Sequence, residues 1–256
     1  MAGQPSSDVT FRDACQAVLH AFETIHVGMD GLQFKSATFP PNEGFTIVQS
    51  TKGSIVAPLN SLEQWAPHAP TEQHPITVEM AYWACRVNNN CLSVNLALLN
   101  VLKECSRKQS KIECMIDGTL SFISLREGTL SHRTLGLTPH HVGTVVEPPF
   151  VSKVPPSPDG ETYHTFVVGL EETTGVPIAL DCSVAQFGVF GTGSNDGVLL
   201  EPFLALPVPV FLRRVGKMHR ILGVEEFNDS NLRHPLVHDK VGKCTKLALR
   251  RLRLKS

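Results

Sequence analysis

The chain has 256 residues, 42% hydrophobic and 18% charged, with a formal net charge of −1. That apolar fraction builds a core of domain size without help from disulfides or metals, which argues against a disordered chain or a disulfide-dependent miniprotein. The charge is uneven: seven of the 23 Lys and Arg lie in residues 240–256 and no acid follows Asp239, so a body of about −8 precedes a tail of about +7.

The first ten residues are polar and lack the basic and apolar regions of a secretory leader, so none is expected. From Val9 to His26, Phe11, Ala14, Val18, Leu19 and Phe22 recur at helical spacing, and Gly28 is the expected stop. Residues 32–60 read as short extended pieces between Pro and Gly, among them Phe45–Gln49 and Ser54–Pro58. Two helices are expected next. Thr77–Val87 is the first, interrupted by Asn88, Asn89 and Asn90, a residue type that competes with helical backbone and favours caps. The second opens at Cys91 and is apolar nearly all round, as in Leu92, Val94, Leu96, Leu98, Val101 and Leu102, so it should be buried on most sides.

The period then becomes that of strands, expected at Lys111–Ile116, Thr119–Leu125, Val142–Glu147, Thr162–Glu171, Val176–Cys182 and Phe203–Arg214. A proline-rich loop spans Pro148–Asp159. A glycine-rich one spans Gly188–Gly197; it lacks the Lys-Ser/Thr of a phosphate loop and reads as a mobile lid. Val198–Leu212 is apolar but contains Glu201, Pro202, Pro207 and Pro209, which exclude a membrane-spanning helix. Helices followed by strands imply an α+β fold. The domain organisation expected is a single catalytic domain over 1–239, with its core at about 77–215 and a helical and extended segment at 1–76. The basic tail at 240–256 is expected as a frayed terminus, an edge strand, or a binding segment for an acidic partner, nucleic acid or anionic lipid.

Seven cysteines (Cys15, Cys85, Cys91, Cys105, Cys114, Cys182 and Cys244) stand singly, an odd number without paired spacing. They point to a reducing cytoplasm and away from a disulfide framework. No metal site is expected: there is no C-x-x-C, and Pro235 breaks the His234/His238 pair.

Cys91 is the chemically informative cysteine. A thiol at the first turn of a buried helix lies beside backbone N–H groups without intrahelical partners and at the positive end of the helix dipole, both of which favour an anion. The N–H groups of Cys91 and Leu92 are placed to receive an oxyanion. His164 opens one expected strand and Asp181 ends the next. If a hairpin at Glu172–Gly175 pairs them, the two side chains fall opposite one another, and the acid orients the imidazole toward a thiolate. His140 and His141 are weaker candidates, because they follow Pro139 in a loop without a paired acid. Gln186 is an accessory candidate, to orient His164 or donate to an oxyanion; Asn89 and Asn90 are candidates for a side-chain amide at the same place.

A cysteine opening a central helix, then a strand beginning in His, then a strand ending in Asp, resembles the transglutaminase-like branch of the papain-like cysteine enzymes. CLSVN and the His-to-Asp interval are also similar to the arylamine N-acetyltransferases. The resemblance covers roughly Thr77–Gly188. It implies a papain/transglutaminase-like core in which the nucleophile helix packs on an antiparallel sheet, with an insertion around Ser131–Pro158. It also implies acyl transfer through a thioester on Cys91 with His164 and Asp181, on a peptide, protein or small amide substrate and without a cofactor. A coenzyme A-linked N-acyltransferase and a catalytically silent binding protein that uses the basic tail are the alternatives.

Overall fold

A computed structural model describes residues 8–26, 33–38, 46–50, 83, 87, 90–140, 143–147, 150–154, 162–192, 200–222 and 235–253. The expected helix Thr77–Val87 apart from Trp83 and Val87, Asn89, His141, the Ser54–Pro58 strand and the tip of the glycine-rich loop lie outside them. The described part is mixed: four α-helices and an antiparallel main sheet, which is an α+β arrangement.

Helix α1 (Phe11–His26) begins at a reciprocal cap. The Thr10 N–H and hydroxyl donate to Asp13 Oδ2 at 3.0 and 2.7 Å, and the Asp13 N–H returns a bond to Thr10 Oγ1. Its apolar stripe, Phe11, Ala14, Cys15, Val18, Leu19 and Phe22, is buried. Helix α2 (Cys91–Cys105) is buried on most sides, as its composition requires, leaving chiefly Asn100 and Lys103 to solvent. Strands β1 (Gln33–Thr38), β2 (Thr46–Ser50), β6 (Gly143–Glu147) and β7 (Phe150–Val154) form a four-stranded sheet of their own.

The main sheet has seven strands: β3 (Lys111–Ile116), β4 (Thr119–Ser124), β5 (Ser131–Pro139), β8 (Thr162–Glu171), β9 (Pro177–Asp181), β12 (Leu204–Pro207) and β13 (Gly216–Ile221). β8 is the hub. One of its edges pairs with β9, and the other with β4 near Glu171 and with β5 along Ser131–Leu137. β5 in turn carries β13. The remaining strands, β10 (Gly191–Thr192) and β11 (Leu200–Glu201), make a short ribbon. The main sheet curls until its ends meet, where the Asp117 N–H after β3 donates to Ala205 O in β12 at 3.3 Å.

Strand alternation divides the core between the two faces of the sheet. On one face Val167, Ile178, Leu180 and Ile112 pack with α1, α2 and helix α4 (Pro235–Arg251). On the other, Phe166, Val168, Leu135, Leu204 and Leu206 pack with Phe211 and Val215 of helix α3 (Val208–Val215).

Three expectations are corrected. Phe203–Arg214 is not one strand: after Pro207 it turns into α3, because prolines at the first turn preset a helical φ and lose no intrahelical bond there. The Ser131–Pro158 stretch is not an inserted appendage, since it supplies β5, the long partner of β8. The basic tail does not begin a separate segment at 240. It is the second half of α4, where Val241, Cys244, Ala248 and Leu249 are buried at helical spacing and the last three join the core shared with α1 and α2. Burying Leu249 alone is worth about 2 kcal/mol.

Candidate active site

Strands β8 and β9 run in register from Leu170↔Pro177 to Val167↔Leu180, and there the ladder stops. Continued, it would set Thr165 against Cys182. Instead the Asn95 amide, one turn along α2 from Cys91, fills the gap between them. Asn95 Nδ2 donates to Thr165 O at 2.7 Å, and its Oδ1 accepts the Cys182 N–H at 3.0 Å. The side chain thus serves as a peptide unit where the two strands part, satisfying buried backbone groups that would otherwise lack partners.

That parting places Asp181 within reach of His164. Asp181 lies opposite Phe166 by register, so the pair is diagonal and offset by two residues, not directly opposed as the hairpin arithmetic suggested. His164 Nε2 donates to Asp181 Oδ2 at 2.6 Å, and both side chains are wholly buried. The other carboxylate oxygen, Oδ1, accepts from Asn95 Nδ2 at 2.9 Å, from the Ser183 N–H at 2.7 Å and from the Ser183 hydroxyl at 2.9 Å. Both oxygens are held, so the acid has a fixed direction.

Cys91 is the first residue of α2 and is nearly buried, at 8% exposure. Its thiol points to Tyr163 O at 3.8 Å, the carbonyl of the residue just before His164. α2 therefore delivers Cys91 to the start of β8 and Asn95 to the parting of β8 and β9, four residues apart on one helix face. Val94 N donates back to Asn90 O at 3.0 Å, which leaves the N–H groups of the first turn without intrahelical acceptors. Asn90 occupies the N-cap position but makes no side-chain cap to the helix. Leu92 is half-buried on the same first turn.

Nδ1 of His164 faces Gln186 Nε2 at 3.1 Å, from the short 3₁₀ turn Val184–Phe187 that closes over the ring. With Nε2–H committed to Asp181, the neutral ring accepts at Nδ1 from the Gln186 amide, whereas the imidazolium donates there and requires the Gln186 carbonyl. Phe187 meets the imidazole edge-on at 4.8 Å between centroids, and Phe166 and Phe211 lie parallel to it at about 6 Å. The ring is caged by aromatics on the α3 side.

The charges follow from this geometry. Burial is the strongest single influence on His164 and disfavours the cation. The Asp181 charge and hydrogen bond, joined by those of the Cys91 side chain, outweigh it and raise the ring to about 10. For Asp181, burial again opposes the charged form, but the charge and hydrogen bond of His164, then the Ser183 N–H and the Asn95 amide, hold the carboxyl below its ordinary value. Both shifts favour a charged His164–Asp181 pair, with the cysteine side chain among the groups acting on it, while the Gln186 amide at Nδ1 is the partner that the neutral ring takes.

The structure brings Cys91, His164, Asp181 and Gln186 into one cluster, with Leu92 and Asn90 at its edge. His140 is exposed at the end of β5 and belongs to no such network. Asn95 and Ser183 were not anticipated. Their signal was present but faint: Asn95 is a polar residue in an otherwise apolar helix, one turn after the cysteine. Among the described residues no cluster of His, Cys, Asp or Glu is arranged to hold a metal ion, and no helix is long and apolar enough to cross a membrane. The described cysteines all carry free thiols. No protein-family model, curated protein or solved structure matches the chain.

Proposed function

We propose that the protein is a cysteine-dependent acyl-transfer enzyme with a papain- or transglutaminase-like core. In this reading Cys91 attacks an amide or activated acyl carbonyl, His164 transfers the proton through Nδ1, and Asp181 fixes the ring through Nε2. The observation that carries it is the wholly buried His164–Asp181 pair at 2.6 Å, set at the start of a helix whose first residue is a cysteine acting on the same histidine. A buried imidazolium–carboxylate pair costs desolvation. A role as counter-charge to a thiolate accounts for that cost, and packing alone does not. The N–H groups of the first turn of α2, which have no intrahelical acceptors, supply the oxyanion donors in this reading, and Gln186 steadies Nδ1 between proton transfers.

The thioester formed on Cys91 is then discharged to water, as in a hydrolase or deamidase, or to an amine, as in a transferase. The chemistry of the triad is the same in both. The test is alkylation by iodoacetamide followed by peptide mapping. Cys91 should label first at neutral pH, and His164→Ala should slow it about tenfold or more. Labelling spread evenly over the cysteines, or unaffected by His164→Ala, would refute the reading.

A further inference from the structure

Helices α2 and α4 pack side by side, and a groove of about 480 Å³ runs between them at the end of α2 away from Cys91. Lys103 and Arg107 stand on one wall and Lys246 and Arg250 on the other, all four exposed. The one acid of the lining, Glu104, is already held by Arg107 at 2.8 Å. Among the described residues, Lys103, Lys246 and Arg250 make no ion pair or hydrogen bond through their side chains. Last-turn positions suit Lys103 and Arg250 to the helix dipoles, but that attraction fades within a turn and does not reach Lys246.

One turn before Lys246 the wall drops at Gly242, an exposed glycine inside α4. A Cβ there would meet nothing within 4 Å, so packing does not require the missing side chain, although glycine weakens a helix relative to alanine. The missing side chain keeps that end of the groove open.

We propose that this groove binds an acidic polypeptide segment of a partner protein, seated between the two rows of cations. Each wall runs for about 10–12 Å along its helix, the length of three or four extended residues. Side chains of an extended segment alternate in direction, so successive carboxylates meet Lys103 and Arg107 on one side and Lys246 and Arg250 on the other. No aromatic side chain stands among the described residues of the lining for a nucleic-acid base to stack on, and a cleft between helices meets a flat bilayer only at its rims. The site is independent of the thiol chemistry, because Cys91 opens α2 and the groove lies at its other end.

Fluorescence anisotropy with a fluorescein-labelled hexaglutamate peptide tests this on the intact protein. The peptide should bind, far more tightly than its hexaglutamine counterpart, and release as salt rises to about 0.5 M. Lys246→Gln and Arg250→Gln should each weaken binding about fivefold. Lys217→Gln, which removes the same charge from exposed β13, should leave it unchanged. Gly242→Leu should weaken it with no change in charge, since the new side chain enters the groove. Absence of binding, or binding that survives Lys246→Gln and Arg250→Gln together, would overturn the proposal. So would tighter binding of an oligothymidylate of equal charge or of phosphatidylserine-rich vesicles, either of which makes the groove a site for another class of anion.

Discussion

Replacing Asn95 with alanine tests the idea that a side-chain amide completes the sheet beneath the site. The substitution removes the partners of the Thr165 carbonyl and the Cys182 N–H, both buried. Each buried backbone group left unpaired costs about 1–3 kcal/mol, so a loss of roughly 2–6 kcal/mol is expected. Asp181 Oδ1 keeps both Ser183 donors, so its carboxylate remains partly fixed and the chain should still fold. Urea denaturation, followed through the buried Trp83, measures the loss. Iodoacetamide labelling of Cys91 in the same samples reports whether His164 has lost its orientation. Asn95→Asp should be worse, because it sets a second carboxylate beside Asp181, and its deficit should shrink as pH falls. A loss below about 1 kcal/mol for Asn95→Ala, with labelling unchanged, would refute the bridging role.

The His164–Asp181 pair sets a pH dependence whose sign is fixed. His164 is raised from 6.5 to about 10, so its stabilising contribution is complete below pH 6.5 and is lost as pH rises toward 10. Asp181 is lowered, so its contribution is complete above its ordinary value of 3.8 and is lost on acidification below it. The urea midpoint should decline on both sides, and His164→Gln should lack this part of the alkaline decline. Phe187→Ala should cost about 3–5 kcal/mol and slow Cys91 labelling, because the ring is fully buried against the imidazole; a stability loss without any kinetic effect would show that Phe187 only packs. Gly169→Ala in β8 should destabilise by about 1–3 kcal/mol, since a Cβ there would meet Ile123 Cγ2 at 2.6 Å in a closed core. Truncation before Gly242 should unfold or aggregate the protein, because it removes Cys244, Ala248 and Leu249 from the shared core; a soluble, cooperatively melting product would contradict that packing.

Much of the local structure was legible in the order of residues. The all-round apolar pattern from Cys91 marked a buried helix, and period-two runs placed β3, β8 and β9 to within a residue or so, because these signals depend on neighbours along the chain. Cys91, His164, Asp181 and Gln186 could be nominated in the same way, each from its position at an element end. Other features depend on what an element meets across space. The apolar run at Leu204 became a strand and then a helix because Pro207 ends the strand as the N-cap and Pro209 fits the first turn. The basic terminus became a core helix because three short apolar residues between its cations found α1 and α2, which no window of sequence contains.

The sequence by itself determined the mixed character of the fold, the buried helix and the identities of its reactive candidates. Only the tertiary structure decided that β8 and β9 part at Thr165 and Cys182, that Asn95 bridges them, and that Asp181 meets His164 on the diagonal. The reason is physical. Propensity and periodicity are summed over adjacent residues, whereas a hydrogen bond of 2.6 Å between buried groups depends on register, on where a ladder stops, and on a helix delivered from 86 residues earlier in the chain.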